Sequence, residues 1–189
     1  MASINNVTVK GLKTFSGHEG EPCYQGNLYL GSKKIGSWSQ DSWGAIMDNV
    51  DLDREYSEIY LRKKIEELNK DKSISGKSIS GTDYTIEYSL ESLMTDLLGL
   101  LDDEKTFKKA IKNGYAMTLV VTDGYQVITW SLSKTYQLLS DKEIIKKLDK
   151  EIKQAKSKMY DNKETKVKIY RSLDDFNIGE KISLEDIKR

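Results

Sequence analysis

The sequence predicts an α+β protein, with strands and helices in separate blocks rather than in βαβ alternation. Three observations carry that prediction. Apolar residues alternate with period two in the first forty residues, they recur at helical spacing in three later segments, and an Asp-Gly turn separates two further apolar runs.

In chain order, Val7 and Val9 alternate with polar neighbours in Ile4–Lys10 and predict a first strand. Cys23–Leu30 predicts a second, with Tyr24, Gly26, Leu28 and Leu30 on one side and Cys23, Gln25, Asn27 and Tyr29 on the other. Gly31-Ser32 is a hairpin turn signal, and Lys33–Ser39 returns as a third strand. The expectation is an N-terminal antiparallel three-stranded meander ending in the loop Gln40–Gly44. Central helices follow. Asp51–Lys70 carries Leu61, Ile65 and Leu68 in helical register, with Asp53 and Glu55 early and Lys63, Lys64 and Lys70 late, which suits the helix dipole. Ser73–Gly81 is a short duplication, Ser-Ile-Ser-Gly-Lys-Ser-Ile-Ser-Gly, with the composition of a loop or of a small hairpin turned at its glycines, and 71–82 reads as an internal linker. Ser89 caps a helix with Leu90, Leu93, Met94, Leu97, Leu98 and Leu101 on one face, and Asp102–Asn113 reads as a second, short one. Tyr115–Val121 and Tyr125–Trp130, joined by Thr122-Asp123-Gly124, predict a second β-hairpin. A capping box, Ser140 to Glu143, opens a long amphipathic C-terminal helix with Ile144, Ile145, Leu148, Ile152, Ala155 and Met159 as its apolar residues. Val167–Tyr170 is a last strand candidate before a polar tail around Ser183–Lys188. The expected domains are 1–70, a β-meander plus helix, and 83–189, a helical and β-hairpin region, unless the whole is one domain.

Composition narrows the setting. The chain has 189 residues, 38% hydrophobic and 32% charged, enough to bury a core. Its one cysteine allows no internal disulfide, the start lacks a basic and apolar leader, and Leu97–Leu101 is far too short to span a bilayer. A cytoplasmic protein without membrane contact, cofactor or metal is expected, of unspecified oligomeric state. Zero formal net charge argues against a nucleic-acid binder held by bulk charge, yet the charges segregate. Residues 83–104 carry seven acids (Asp83, Glu87, Glu91, Asp96, Asp102, Asp103 and Glu104) and no base, whereas residues 141–171 carry eleven bases against six acids.

No complete catalytic constellation is legible. His18 with Glu19 and Glu21 has the chemistry of a general base or metal ligand, but there is no second histidine to complete a zinc set, and carboxylates such as Glu19, Asp41 and Asp48 could form a hard-metal site. Cys23 near His18 suggests a thiol–imidazole pair, and reads more simply as a small buried residue. Gly76-Lys77-Ser78 lacks the earlier glycine of a phosphate loop. Trp43, in a loop with Ser42 and Gly44, reads equally as an exposed anchor or as a lid over the small β-sheet, while Trp38 reads as core. Lys146, Lys150 and Lys153 would share one face of the C-terminal helix and could meet phosphates. The acids of 83–104 could instead imitate phosphates and occupy a basic groove.

Ser16-Gly-His-Glu19, Tyr24-Gln-Gly-Asn-Leu-Tyr-Leu-Gly31, Lys34-Ile-Gly36 and Gln40-Asp-Ser-Trp-Gly44 together resemble a pattern of small phage and plasmid proteins. That pattern runs Ser-x-Glu-Thr, an aromatic, a strand, Asp-Gly, Gly and a glycine-rich loop. The resemblance covers about forty residues, with Gly20, Ser42 and Ala45 departing from it. It implies a mobile-element origin, and such proteins include inhibitors of bacterial immunity. The resulting expectation is an accessory protein that binds and inhibits a host defence protein or nucleoprotein complex, such as a Cas nuclease, in the manner of an anti-CRISPR. Its contacts would be Trp43 with Asp83, Glu87, Glu91, Asp96, Asp102 and Asp103. The alternatives are a nucleic-acid-binding accessory protein using Lys146, Lys150 and Lys153, and a small metal-dependent hydrolase or nuclease built on His18, Glu19 and Asp41.

Overall fold

The computed structural model describes residues 1–43, 47–160 and 165–189. Gly44 and Ala45 of the loop pattern lie outside the described residues, as does Lys163 of the basic segment. In chain order the elements are β1 Ser3–Ile4, β2 Val7–Ser16, β3 Pro22–Leu30, β4 Lys33–Ser39, β5 Asn49–Leu52, α1 Glu58–Leu68, β6 Ile74–Lys77, β7 Asp83–Ile86, α2 Leu90–Lys112, β8 Met117–Thr122, β9 Val127–Leu132, α3 Asp141–Lys147, α4 Asp149–Lys156, β10 Lys166–Tyr170 and β11 Asn177–Ile178. They gather into two compact units, Met1–Gly99 with Asn177–Arg189, and Leu100–Phe176.

The expected architecture is corrected in several places. The molecule is mixed α+β but strand-dominated, with eleven strands and only one helix longer than eleven residues among the described residues. The three-stranded meander is the centre of a six-stranded sheet, ordered β11-β1-β2-β3-β4-β5. The single long C-terminal helix is two short ones: Leu148, at φ −103° and ψ 15°, leaves helical geometry, and the second ends at Lys156. Each short helix has its own acids in the first turn and lysines in the last, so each is matched to its own dipole. Conversely, the two helices expected around residue 100 are the one 23-residue α2. The helix expected from Asp51 begins at Glu58. Asn49–Leu52 pairs with β4 instead, and Ser57 caps α1 by accepting from the Tyr60 N–H. Of the two readings of the Ser73–Gly81 duplication, the hairpin is the one seen: β6 lies within 71–82 and pairs with β7 just beyond it.

In the first unit, Val7, Val9, Leu28, Leu30, Ile35 and Trp38 are buried on the sheet, and Leu61 and Ile65 are the buried residues of α1. Burying side chains of this size contributes about 1.5–3 kcal/mol each. Asn5 and Asn6, at φ 51° and 70°, make the tight β1–β2 turn. The polar tail is not free: β11 pairs in parallel with β1, and Ile182 and Ile187 are fully buried.

In the second unit a three-stranded sheet is ordered β10-β8-β9. Met117, Leu119, Val121 and Leu132 pack with Ile144, Ile152, Ala155 and Met159 of the α3–α4 segment. Thr118 and Val120, on the opposite face of β8, are also buried. Tyr170 stacks on Phe176 at 4.2 Å, Phe107 of α2 meets Phe176 at 5.4 Å, and the Tyr170 hydroxyl donates to Asp103 at 2.8 Å.

Candidate functional site

The first unit places two loops side by side. Between β2 and β3, Gly20 takes φ +85°, the Gly17 N–H donates to the Glu21 carbonyl at 2.8 Å, and the Glu19 N–H donates to Glu21 Oε2 at 2.9 Å. This compact turn is joined to the loop after β4 by the His18 N–H, which donates to the Ser42 carbonyl at 2.8 Å. The consequence is a ring pair: His18 stacks on Trp43 with centroids 4.1 Å apart and planes 22° apart. Trp43 is nevertheless 73% exposed. Asp41 Oδ2 accepts from the Trp43 N–H at 2.9 Å and sets the backbone beneath the indole. Thus His18, Asp41 and Trp43 come together, with Glu19 in the same turn as His18.

Both ends of the second loop are fastened. At its start, the Gln40 N–H donates to the Tyr24 carbonyl and the Gln40 side chain accepts from the Tyr24 N–H, both at 2.9 Å. At its end, Asp48 Oδ2 accepts from Trp38 Nε1 at 2.8 Å, and the Asp48 N–H donates to Glu91 Oε1 at 3.0 Å. Arg62 closes the network, donating at 2.7 Å to both Glu58 and Glu91 and at 3.3 Å to the Asp48 carbonyl. Burial pushes the Asp48 carboxyl above the usual carboxylate range despite the Trp38 hydrogen bond. Burial acts on Glu91 in the same direction and is the largest single influence, but the hydrogen bonds from Arg62, from Ser89 and from backbone N–H groups including that of Asp48 together outweigh it and hold Glu91 below its ordinary value. Arg62 is raised because its two carboxylate partners overcome burial. Sequence reasoning missed this network. Only the Glu58–Arg62 pair, four residues apart on one helix, carried a local signal.

The remaining expected residues are dispersed. Asp83 lies 4.0 Å from Lys77 across the β6–β7 hairpin, and Glu87 is exposed just after it. Glu91 is bound to Arg62, and Asp96 accepts from the Tyr88 hydroxyl at 2.7 Å. Asp102 and Asp103 belong to the other unit, where Asp102 is exposed and Asp103 accepts from Tyr170. Glu104 is buried against Lys108 at 2.9 Å. Lys146 sits on α3 whereas Lys150 and Lys153 sit on α4, all three exposed, with Lys153 paired to Asp149 at 2.8 Å. Cys23 is buried, its thiol 3.9 Å from Glu21 and raised above its ordinary pKa by burial and by that carboxylate, the reverse of what a thiolate nucleophile needs.

An open depression of about 560 Å³ crosses the outer face of β2–β5. Its polar floor includes Lys13, Gln25 and Asn27, continued by Ser37, Ser39 and Asn49. Among the described residues, no group of three or more His, Cys, Asp or Glu side chains is placed to hold a metal ion. No helix among them is long and apolar enough to cross a membrane.

Comparison with protein-family models, with curated proteins and with solved structures finds no match to the chain.

Proposed function

We propose that the chain is a stoichiometric binding protein of mobile-element origin, which inhibits a host defence nuclease complex by seating the His18–Trp43 loop pair in a basic groove of that complex. The observation that carries the reading is Trp43: a large ring left 73% exposed, yet held by a stacked histidine and by Asp41. An aromatic side chain ordered before contact loses little entropy on binding, which is the property of an interface anchor. Charge supports the same partner chemistry. Glu19 and Glu21 occupy one loop, Asp41 the other, and neither 16–21 nor 40–48 contains a Lys or Arg. An aromatic anchor edged by carboxylates complements a groove that ordinarily holds nucleic acid. This surface takes the place of the acidic 83–104 segment as the main contact, because Glu91, Asp96 and Asp103 are engaged within the fold.

The test is titration of a purified RNA-guided nuclease complex with the full chain at low and high salt. A saturable complex that weakens with salt is expected, and Trp43→Ala should weaken it by about 30-fold or more, the loss of a hot-spot residue. Absence of association at low salt, or full affinity in Trp43→Ala, would overturn the proposal.

A further inference from the structure

Within Leu100–Phe176, two tyrosines are left almost wholly in water: Tyr125 is 81% exposed and Tyr160 82% exposed. Their rings still meet edge to face, 5.5 Å between centroids and 62° between planes. One carboxylate positions both. Asp123 Oδ1 accepts from the Tyr125 and Gln126 N–H groups at 2.9 and 2.8 Å, and its Oδ2 accepts from the Tyr160 N–H at 2.6 Å. Asp123 is 8% exposed, and a carboxylate that deep is tolerated only when hydrogen-bonded. Here those bonds fix two aromatic residues from separate segments side by side.

Tyr160 lies in a basic stretch of the sequence. Residues 141–171 hold eleven bases against six acids. Lys158 precedes Tyr160 by two residues, and Lys166 stands opposite Thr122, next to Asp123, in the β10–β8 register. Both lysines are exposed.

We propose that Tyr125 and Tyr160 form a stacking platform for single-stranded nucleic acid, with Lys158 and Lys166 meeting its phosphates. The 62° tilt selects a single strand. Bases in a duplex lie parallel and covered, whereas successive bases of a single strand can turn apart and meet both rings. This platform shares no residue with the His18–Trp43 loops and does not rest on the protein partner proposed for them.

Fluorescence anisotropy of the full chain with labelled oligo(dT) and oligo(U) of about 12 nucleotides, beside a duplex of the same length, tests it. Expected is binding of at least one single strand, tighter than of the duplex. Tyr125→Ala and Tyr160→Ala should each lower affinity by about 5- to 100-fold, while Tyr125→Phe and Tyr160→Phe retain it, because stacking uses the ring and not the hydroxyl. Lys158→Gln and Lys166→Gln should each reduce the slope of log affinity against log salt by about 0.7. No single-strand binding at low salt, equal binding of the duplex, or unchanged affinity in both alanine variants with the fold intact by circular dichroism would overturn the proposal.

Discussion

Arg62 joins three segments through one guanidinium, and its pairing with Glu91 gives the loop network a pH signature. Glu91 is held below its ordinary value, so its contribution is fully present above the unfolded pKa of about 4.3 and is lost as pH falls through the lower folded value. Asp48 is shifted the other way, so its protonation in acid offsets part of that loss. Glu91→Gln should therefore cost about 1 kcal/mol at neutral pH, solvent screening keeping it below the figure for a fully buried pair. Urea midpoints of variant and wild type should draw together as pH falls progressively below that unfolded value of about 4.3. A gap that stays constant across this range would contradict the assignment. Gly36 is a second single-residue control point. A Cβ there would lie 2.1 Å from the Asp51 carbonyl oxygen and 2.8 Å from Leu52 Cα, so only glycine lets β5 approach β4. Gly36→Ala should destabilise by about 1–3 kcal/mol, read from denaturant midpoints.

At the scale of elements, the β6–β7 hairpin stands out. Every residue of β7 is exposed, and Ile74 and Ile86, paired across the strands, are 63% and 58% exposed. A two-stranded sheet with neither face covered is marginal in water. Its amides should exchange with solvent before those of β2–β4 or β8; protection equal to β8 would refute this. The same scale explains what was legible. Turns announce themselves locally, and Gly31-Ser32 and Asp123-Gly124 mark where the chain reverses into β4 and β9. A four-residue strand such as Asn49–Leu52 contains too few alternations to be told from the start of the helical pattern after it. Two-residue β1 and β11 have no periodicity at all, and their pairing spans the chain. At the candidate site, Trp43 was legible because an aromatic in a Ser/Gly loop is conspicuous. Its stack on His18 was not, because that contact depends on a hydrogen bond between distant loops.

On the whole-molecule scale, the first unit is closed by residues from the end of the chain. Ile182 and Ile187 are fully buried, the Ile182 N–H donates to the Asn5 carbonyl, and the Ser57 N–H donates to the Ile187 carbonyl. Removing 177–189 should cost about 3–6 kcal/mol from those two side chains alone and lower the thermal midpoint sharply. An unchanged midpoint would show that the segment is dispensable. Charge also divides along the chain: Leu100–Phe176 holds sixteen bases and twelve acids, and the remainder fourteen bases and eighteen acids. Opposite balances suit two different surfaces, an aromatic loop pair edged with carboxylates and an aromatic pair among lysines.

The most direct measurement is the affinity of a purified RNA-guided nuclease complex for three forms of the chain: wild type, Trp43→Ala, and the double reversal Asp83→Lys with Glu87→Lys. If the loop pair is the anchor, Trp43→Ala loses about 30-fold or more while the double reversal changes affinity by only a few-fold, as rim charges do. Wild-type affinity in Trp43→Ala together with collapse in the double reversal would contradict the account and return the contact to the acidic segment.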